Sequence, residues 1–389
     1  MLVISTWEKS HNTIFKKVQR ISLDFFLFNK LYYFVSLLLS NIKMNYTTLP
    51  NTELKVSKIC LGTMTFGNQN TENESHSQLD YAIEKGINFI DTAEMYPIGG
   101  NAQIFGSTER HIGTWIQKIG ASEREKLVLA TKIAGPNRGM EYIRQPLDFS
   151  KKSIHEAVEL SLKNLQTDYI DLYQMHWPER IMNMFQKRGV QELDPKWQDN
   201  IFDVLTVYDG LIKEGKIKHI GLSNENPWGV MRFLMESEKH GLPRIATIQN
   251  PFSLLNRLYE VGLSEIGMRE NVGLLAYSPL GFGFLSGKYL NGYPENSRMK
   301  LFPNFVRYTN ENCFKATLLY KELAEANGLT LTQMAIAFVH RQQFVTSTII
   351  GATTMEQLQE NIQAFDTVLS DEIIAEIEKI QELIPNPAP

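Results

Sequence analysis

Ile87-Asn-Phe-Ile-Asp91-Thr-Ala-Glu-Met-Tyr96 is the stretch whose reading decides the fold. Its first half is a short apolar run after Gly86, the signature of a strand buried on both faces, and its second half turns polar within one residue. The pattern recurs around Thr131-Lys132, Met175-His176-Trp177-Pro178 and Ala276-Tyr277-Ser278-Pro279-Leu280. An Asp, a Tyr, a Lys and a His are thereby delivered to strand ends, which in a parallel barrel converge on the face that carries active sites.

Working outward from Tyr46, short β-branched runs alternate with amphipathic stretches, as in parallel strands joined by crossover helices. Eight strands are predicted, at Lys58–Leu61, Ile87–Asp91, Leu127–Thr131, Tyr169–Met175, Ile217–Gly221, Ile245–Gln249, Gly273–Ala276 and Ser347–Ile350. Helices are predicted at Ser75–Lys85, Thr108–Ile119, Lys151–Leu165, Ile201–Glu214, Pro227–Lys239 and Gly262–Glu270, with two more in the last third. Ser107-Thr108-Glu109 and Asn226-Pro227 read as helix starts, while Gly86, Gly120, Gly215 and Gly241 read as stops. The class is α/β, a (β/α)8 TIM barrel of about 250 residues plus insertions. Tyr46 to Val56, with Pro50-Asn51-Thr52 as its turn, is expected to form a hairpin closing the floor. Gly135–Ser150, Glu179–Asn200 and Pro279–Tyr308 exceed ordinary loop lengths and would lie at the C-terminal face.

No composition break divides residues 44–389, so one barrel domain is expected there. Residues 1–43 differ: they hold no Gly, Pro or Ala, and six basic residues against Glu8 and Asp24. This leader reads as a misassigned start with Met44 as initiator, and otherwise as a membrane-associating or targeting segment. Asp24, Asn29 and Lys30 interrupt its apolar run, and Leu31–Leu39 is too short to span a bilayer. The 389-residue chain is 43% hydrophobic and 21% charged with a net charge of −4, which argues against nucleic acid as a partner and, for residues 44–389, against a membrane. Only Cys60 and Cys313 occur, without metal-ligand spacing, so two core thiols, no metal site and a cytoplasmic setting are expected.

Reducing a carbonyl requires a proton for the developing alkoxide. A phenol supplies one well at neutral pH only if a neighbouring cation lowers its pKa from about 10. Tyr96, Lys132 as that cation, Asp91 holding the ammonium, and His176 donating to the substrate oxygen would form such an apparatus. Gly281-Phe-Gly283-Phe-Leu-Ser-Gly287 misses the spacing and the strand-helix bracket of a Rossmann fingerprint and reads as a loop.

Gly62-Thr63-Met64, Asp91-Thr92-Ala93-Glu94-Met95-Tyr96, Lys132, Gln174-Met175-His176-Trp177, Gly221-Leu222-Ser223-Asn224, Ile248-Gln249-Asn250 and Tyr277-Ser278-Pro279-Leu280 together resemble the aldo-keto reductase superfamily. The match is nearest its Tas-like and potassium-channel β-subunit-like branches, and it runs from about Asn45 to the C-terminus. The resemblance implies reduction of aldehydes and ketones to alcohols, with Tyr96 as general acid, Asp91 and Lys132 tuning it, and His176 orienting the carbonyl. It implies NADPH, ahead of NADH, as hydride donor. Tyr277 would stack on the nicotinamide, and Ser223, Asn224 and Gln249 would bond its carboxamide, beside Gly62, Thr63 and Met64. Ser278, Pro279, Leu280, Gly281, Phe282, Gly283, Phe284, Leu285, Ser286, Gly287 and Lys288 would wrap the pyrophosphate. For the adenosine end the candidates are Gly351, Thr353, Gln357, Glu360 and Asn361, with Arg298 as phosphate partner because a guanidinium engages phosphate bidentately.

Trp177, Met64, and Trp197 or Phe282 are candidates for the wall of a pocket for a small carbonyl substrate. Arg180, Lys187 and Arg188 place a charge cluster, or a lid, in the fourth connection. The alternative functions are a cofactor-binding redox sensor with vestigial turnover and an aldolase using Lys132 as a Schiff base. Neither the physiological substrate nor the oligomeric state is legible in these residues.

Overall fold

A computed structural model describes residues 44–136, 138–185, 189–190 and 192–389. The leader expected at 1–43, and Lys187 and Arg188, lie outside the described residues. All eight predicted strands form: β3 (Ile59–Gly62), β4 (Phe89–Asp91), β5 (Val128–Ile133), β6 (Ile170–Met175), β7 (Ile217–Ser223), β8 (Ile245–Pro251), β9 (Gly273–Tyr277) and β10 (Val345–Ile350), after a hairpin of β1 (Tyr46–Thr48) and β2 (Lys55–Ser57). The eight pair in parallel and close on themselves in the order β10-β3-β4-β5-β6-β7-β8-β9, the (β/α)8 barrel. Every residue of β4, β5 and β6 is buried, because the interior covers one face and helices the other.

The barrel is filled in layers. Cys60, Phe89, Val128, Ala130, Leu172, Leu275 and Ile349 form an apolar cluster that Leu49, Leu54 and Val56 of the hairpin complete. β1 and β2 pair antiparallel from Tyr46 opposite Ser57, and the turn closes through Leu49 N to Leu54 O at 2.8 Å. Asn51 adopts φ 57°, and its amide donates to Asn271 O at 2.9 Å, fastening the turn beside the start of β9. The predicted floor is therefore a plug of three aliphatic side chains.

Helix starts follow side-chain caps. Thr71 and Glu74 make a capping box that starts the first helix at Glu72, before the predicted Ser75, whereas Ser107 lies inside its helix behind an uncapped Gly106. The last third holds four substantial helices where two were predicted: Glu311–Ala326, Leu331–His340, Met355–Gln363 and Asp371–Leu383. Gly328 and the Thr330–Gln333 capping box divide the first pair, and Ser370 caps a fresh start for the last. Gly281–Ser286, predicted as loop, makes 3-10 turns interrupted at Phe282 and Gly283, where φ is positive. Among the described residues no helix is long and apolar enough to cross a membrane.

If the hairpin is a structural plug, Leu49→Ala should cost about 2–5 kcal/mol, the usual range for a buried Leu truncation. Urea denaturation measures this, and an unchanged midpoint would mean the floor contributes nothing.

Candidate active site

Two residues above the apolar layer the interior turns polar. Asp91 follows Phe89 by two, and Gln174 follows Leu172 by two, so strand alternation points both inward. Asp91, Gln174 and Gln249 come from the second, fourth and sixth barrel strands, the alternate-strand arrangement of a single layer. Lys132 on β5 is wholly buried, and its Nζ donates to Asp91 Oδ2 at 2.7 Å and to Thr92 O at 2.7 Å. The other carboxylate oxygen accepts from Gln249 Nε2 at 2.8 Å and Gln174 Nε2 at 3.2 Å. Gly221 leaves room for this layer, since a Cβ there would meet Thr247 and crowd Gln174 Cγ at 3.3 Å.

Above that layer sit the two groups that face the cleft. The Tyr96 ring lies 5.2 Å from Lys132 Nζ and 5.7 Å from the His176 ring, edge to face at 79°. Burial, then the Asp91 charge and Tyr277, push the Tyr96 phenol well above the ordinary tyrosine range, against the pull of Arg298. The net acidification expected from Lys132 does not result, because burial and the Asp91 charge dominate and both hydrogen bonds of the ammonium go to Asp91 and Thr92 and not to the phenol. Tyr96 is instead kept protonated. Burial, with the charges of Lys132 and Arg138, holds His176 well below 6.5, so its imidazole is neutral at pH 7. Its Nδ1 is buried without a hydrogen-bond partner.

The turn carrying Tyr96 is anchored from behind. Glu94 is fully buried, accepts from Ala134 N at 2.6 Å, and takes a bidentate Arg144 guanidinium at 2.8–3.0 Å. Burial lifts its carboxyl to about 7 against the pull of Arg144. Arg144 belongs to the long Gly135–Ser150 connection, which is therefore tied to the strand end that bears the phenol.

A cleft of about 1210 Å³ opens over these groups. That exceeds the ~300–1,000 Å³ of an ordinary single-ligand pocket and leaves room for an extended ligand beside a second molecule. Asp91, Tyr96, His176 and Trp177 line it, with Gly62, Thr63, Met64, Ser223, Asn224, Gln249 and Tyr277. So do Ser278, Pro279, Leu280, Phe282, Gly283, Ser286, Lys288, Arg298, Gly351, Thr353, Gln357, Glu360 and Asn361. Gly281, Phe284, Leu285 and Gly287 do not: Phe284 and Leu285 turn inward, Phe284 packing on Tyr289 and Phe314. Lys132 lies beneath the floor of the cleft.

Several polar groups are already positioned by one another. Tyr277 Oη donates to Asn224 Oδ1 at 2.6 Å, and Asn224 Nδ2 donates to His176 O at 2.8 Å. Asn224, Ser278 and Phe282 take φ of 55°, 55° and 57°, left-handed backbone that costs non-glycine residues energy and clusters at functional sites. Gln357 Oε1 accepts from Thr353 N and Oγ1, both at 3.0 Å, and Asn361 Nδ2 donates to Gly351 O at 3.2 Å. Gln249 is placed in the cleft as expected, but its amide nitrogen is spent on Asp91.

Trp197 stands apart from the cleft, edge on to Trp228 at 6.2 Å. Arg180 is neither lid nor solvated charge: it pairs with buried Glu225 and stacks 4.8 Å over Trp228. Sequence reasoning missed Gln174 as an Asp91 donor, although its place two residues before His176 was a usable signal. It also missed Glu94, Arg144 and Arg138, whose partners are remote in sequence. Among the described residues no group of three or more His, Cys, Asp or Glu is arranged to hold a metal.

The chain matches the aldo/keto reductase family over residues 58–382. It is 50% identical over 348 residues to the protein tas of Escherichia coli (strain K12), covering 89% of this chain and 100% of that one. It is 34% identical over 348 residues to the uncharacterized oxidoreductase YrpG of Bacillus subtilis (strain 168), 88% of this chain and 97% of that one. It is 28% identical over 347 residues to the L-glyceraldehyde 3-phosphate reductase of Escherichia coli O157:H7, 87% of this chain and 92% of that one.

Because His176 stays neutral when folded but takes up a proton below 6.5 when unfolded, it withdraws stability as pH falls below about 6.5. The slope per such group is at most about 1.4 kcal/mol per pH unit. His176→Gln should therefore lose less stability between pH 7 and pH 5 than the parent chain. Urea midpoints at both pH values test this, and an unchanged acid slope would mean the imidazole is not held neutral.

Proposed function

The chain belongs to the aldo/keto reductase family, and we propose that it reduces aldehydes and ketones to alcohols with NADPH, Tyr96 giving the proton. One observation carries the reading: a protonated phenol and a neutral imidazole stand edge to face over a buried Lys132–Asp91 pair, at the bottom of a cleft large enough for a dinucleotide and a substrate.

The cleft suits that cofactor. Lys288 and Arg298 line it without a carboxylate partner among the described residues, and Arg298 Nε is buried with no hydrogen-bond acceptor, as expected of a site built for anionic oxygens. Gly283, at φ 96°, keeps the approach to Lys288 open, since a Cβ there would lie 3.0 Å from Nζ. Lys288 and Arg298 would hold phosphates, Arg298 the one that distinguishes NADPH from NADH. Tyr277 would support the nicotinamide with its ring, and Ser223 and Asn224 would meet the carboxamide. When bound, the reduced nicotinamide supplies a hydride.

The protein's part is to orient the carbonyl and provide a proton. His176, kept neutral, donates a hydrogen bond to the carbonyl oxygen without competing as an acid. As negative charge develops there, Tyr96 releases its phenolic proton to the oxygen. The nearby Lys132 ammonium then offsets the phenolate, and Asp91 holds that ammonium in place. Trp177 and Met64 present apolar surface to the substrate. The aldolase alternative draws no support from this geometry, because both hydrogen bonds of Lys132 use protons that an imine-forming amine would have to shed.

Tyr96→Phe should lower turnover of 4-nitrobenzaldehyde by about 10²–10⁴-fold, the usual worth of a positioned acid, while NADPH still binds. A variant that turns over at the parent rate would remove Tyr96 from its role. Arg298→Gln should shift the ratio of NADPH to NADH affinity toward NADH by about tenfold or more, the worth of a charge-assisted hydrogen bond. Calorimetric titration with both nucleotides reads it, and an unchanged ratio would assign the phosphate to another residue.

A further inference from the structure

Arg138 takes no part in the chemistry above, yet it is built into the catalytic end of the cleft. The chain reaches it by running flat against Trp177: a Cβ on Gly135 would lie 2.7 Å from the indole Cδ1 and Nε1, so only glycine permits the approach. Trp177 Nε1 then donates to Pro136 O at 2.9 Å, locking the strand-like entry of this connection onto the indole. Two residues later Arg138 doubles back, its guanidinium 5.4 Å from the Trp177 ring centroid and 3.9 Å from that of Phe185. The rings of Trp177 and His176 are themselves 4.9 Å apart, so the cation stands one aromatic ring away from the group that orients the carbonyl.

Phe185 is held at a cost. It adopts φ 50°, left-handed backbone that disfavours a residue with a Cβ by about 1–2 kcal/mol. Such outliers persist where the surroundings over-determine them, most often at functional sites. Here the outlier places a ring under a guanidinium and packs it, as Met95 and Met140 also pack, against the cluster of Ala134, Leu147 and Trp177.

Arg138 lines the cleft exposed to solvent, and among the described residues its guanidinium, with five N–H donors, makes no hydrogen bond and no ion pair. Asp91, the acid on the cleft floor, is already neutralised by Lys132 and bonded by two glutamines. Met64, Met95, Met140 and Trp177 contribute apolar surface to the cleft lining. Stacking fixes the plane of the guanidinium and leaves its edge free, the arrangement suited to bidentate capture of a carboxylate or phosphate.

We propose that Arg138 is an anion-recognition residue of the substrate pocket, and that the preferred substrates are aldehydes or ketones bearing a carboxylate or phosphate a few bonds from the carbonyl. This rests on the reductase reading, and the test separates the two. Three aldehydes share one ring and one reacting group: 4-formylbenzoate, 4-formylphenyl phosphate and neutral methyl 4-formylbenzoate. The full chain with NADPH should favour at least one charged aldehyde over the ester in kcat/KM, the two charged arms telling which oxyanion is preferred. In Arg138→Gln that charged-to-neutral ratio should fall about tenfold to a hundredfold, the worth of a charge-assisted hydrogen bond, and Arg138→Lys should recover part of it. A parent chain without preference, or a ratio unmoved by Arg138→Gln, overturns the proposal.

Binding without turnover supplies the second readout. Titration of 4-(hydroxymethyl)benzoate and its methyl ester, followed by tryptophan fluorescence with and without NADP+, should show the same Arg138-dependent preference for the acid. If that preference is found while no aldehyde is reduced, the anion site stands and the reductase reading falls. If aldehydes are reduced with no Arg138-dependent charge preference in either measurement, the reductase reading stands and the anion site falls.

Discussion

A lysine ammonium and an aspartate carboxylate 2.7 Å apart inside a closed barrel constrain everything around them. Moving either ion out of water costs several kcal/mol, and removing one partner from such a pair strands the other. The barrel meets that cost by satisfying both groups: Asp91 accepts from Lys132, Gln249 and Gln174, and Lys132 also donates to the Thr92 carbonyl. The four residues come from four different strands: the pair itself joins the neighbours β4 and β5, and barrel closure brings Gln249 from β8 to complete the carboxylate.

The groups above the pair take their protonation states from it and from burial. Tyr96 is kept protonated by desolvation and by the negative end of the pair, His176 is kept neutral by desolvation and by the positive end. One buried dipole thus prepares an acid that retains its proton and a donor that carries no charge. The Glu94–Arg144 pair does comparable work from behind, coupling the long third connection to the turn that presents Tyr96.

Charge in the cleft is segregated by element. The loop after β9 brings Lys288 and Arg298, while the connection after β5 brings Arg138 over Trp177. Trp177 meets both ends of this design, bordering His176 on one side and fixing the backbone of the Arg138 loop on the other. Arg180 and Glu225 pin the fourth connection beside Asn224, so the segment that reads as a loose charge cluster is anchored by a buried ion pair.

The eight strands, their order, the hairpin floor and the residues at the strand tips were legible in the sequence, because a parallel strand writes its burial as an apolar run and its end as an abrupt polar residue. Helix number in the last third was misjudged where caps such as Thr330 divide one continuous pattern. Residue type together with placement at successive strand ends also singled out Asp91, Tyr96, Lys132 and His176, since few side chains can give a proton or hold an ammonium. Tertiary structure alone decided how those groups behave: that the lysine is consumed by Asp91 and Thr92, that two glutamines complete the carboxylate, and that Phe284 and Leu285 turn away from the cleft. It alone brought Arg138 over the rings of Trp177 and Phe185. Protonation state and pairing depend on distance and desolvation, and both are set by parts of the chain that lie far apart in sequence.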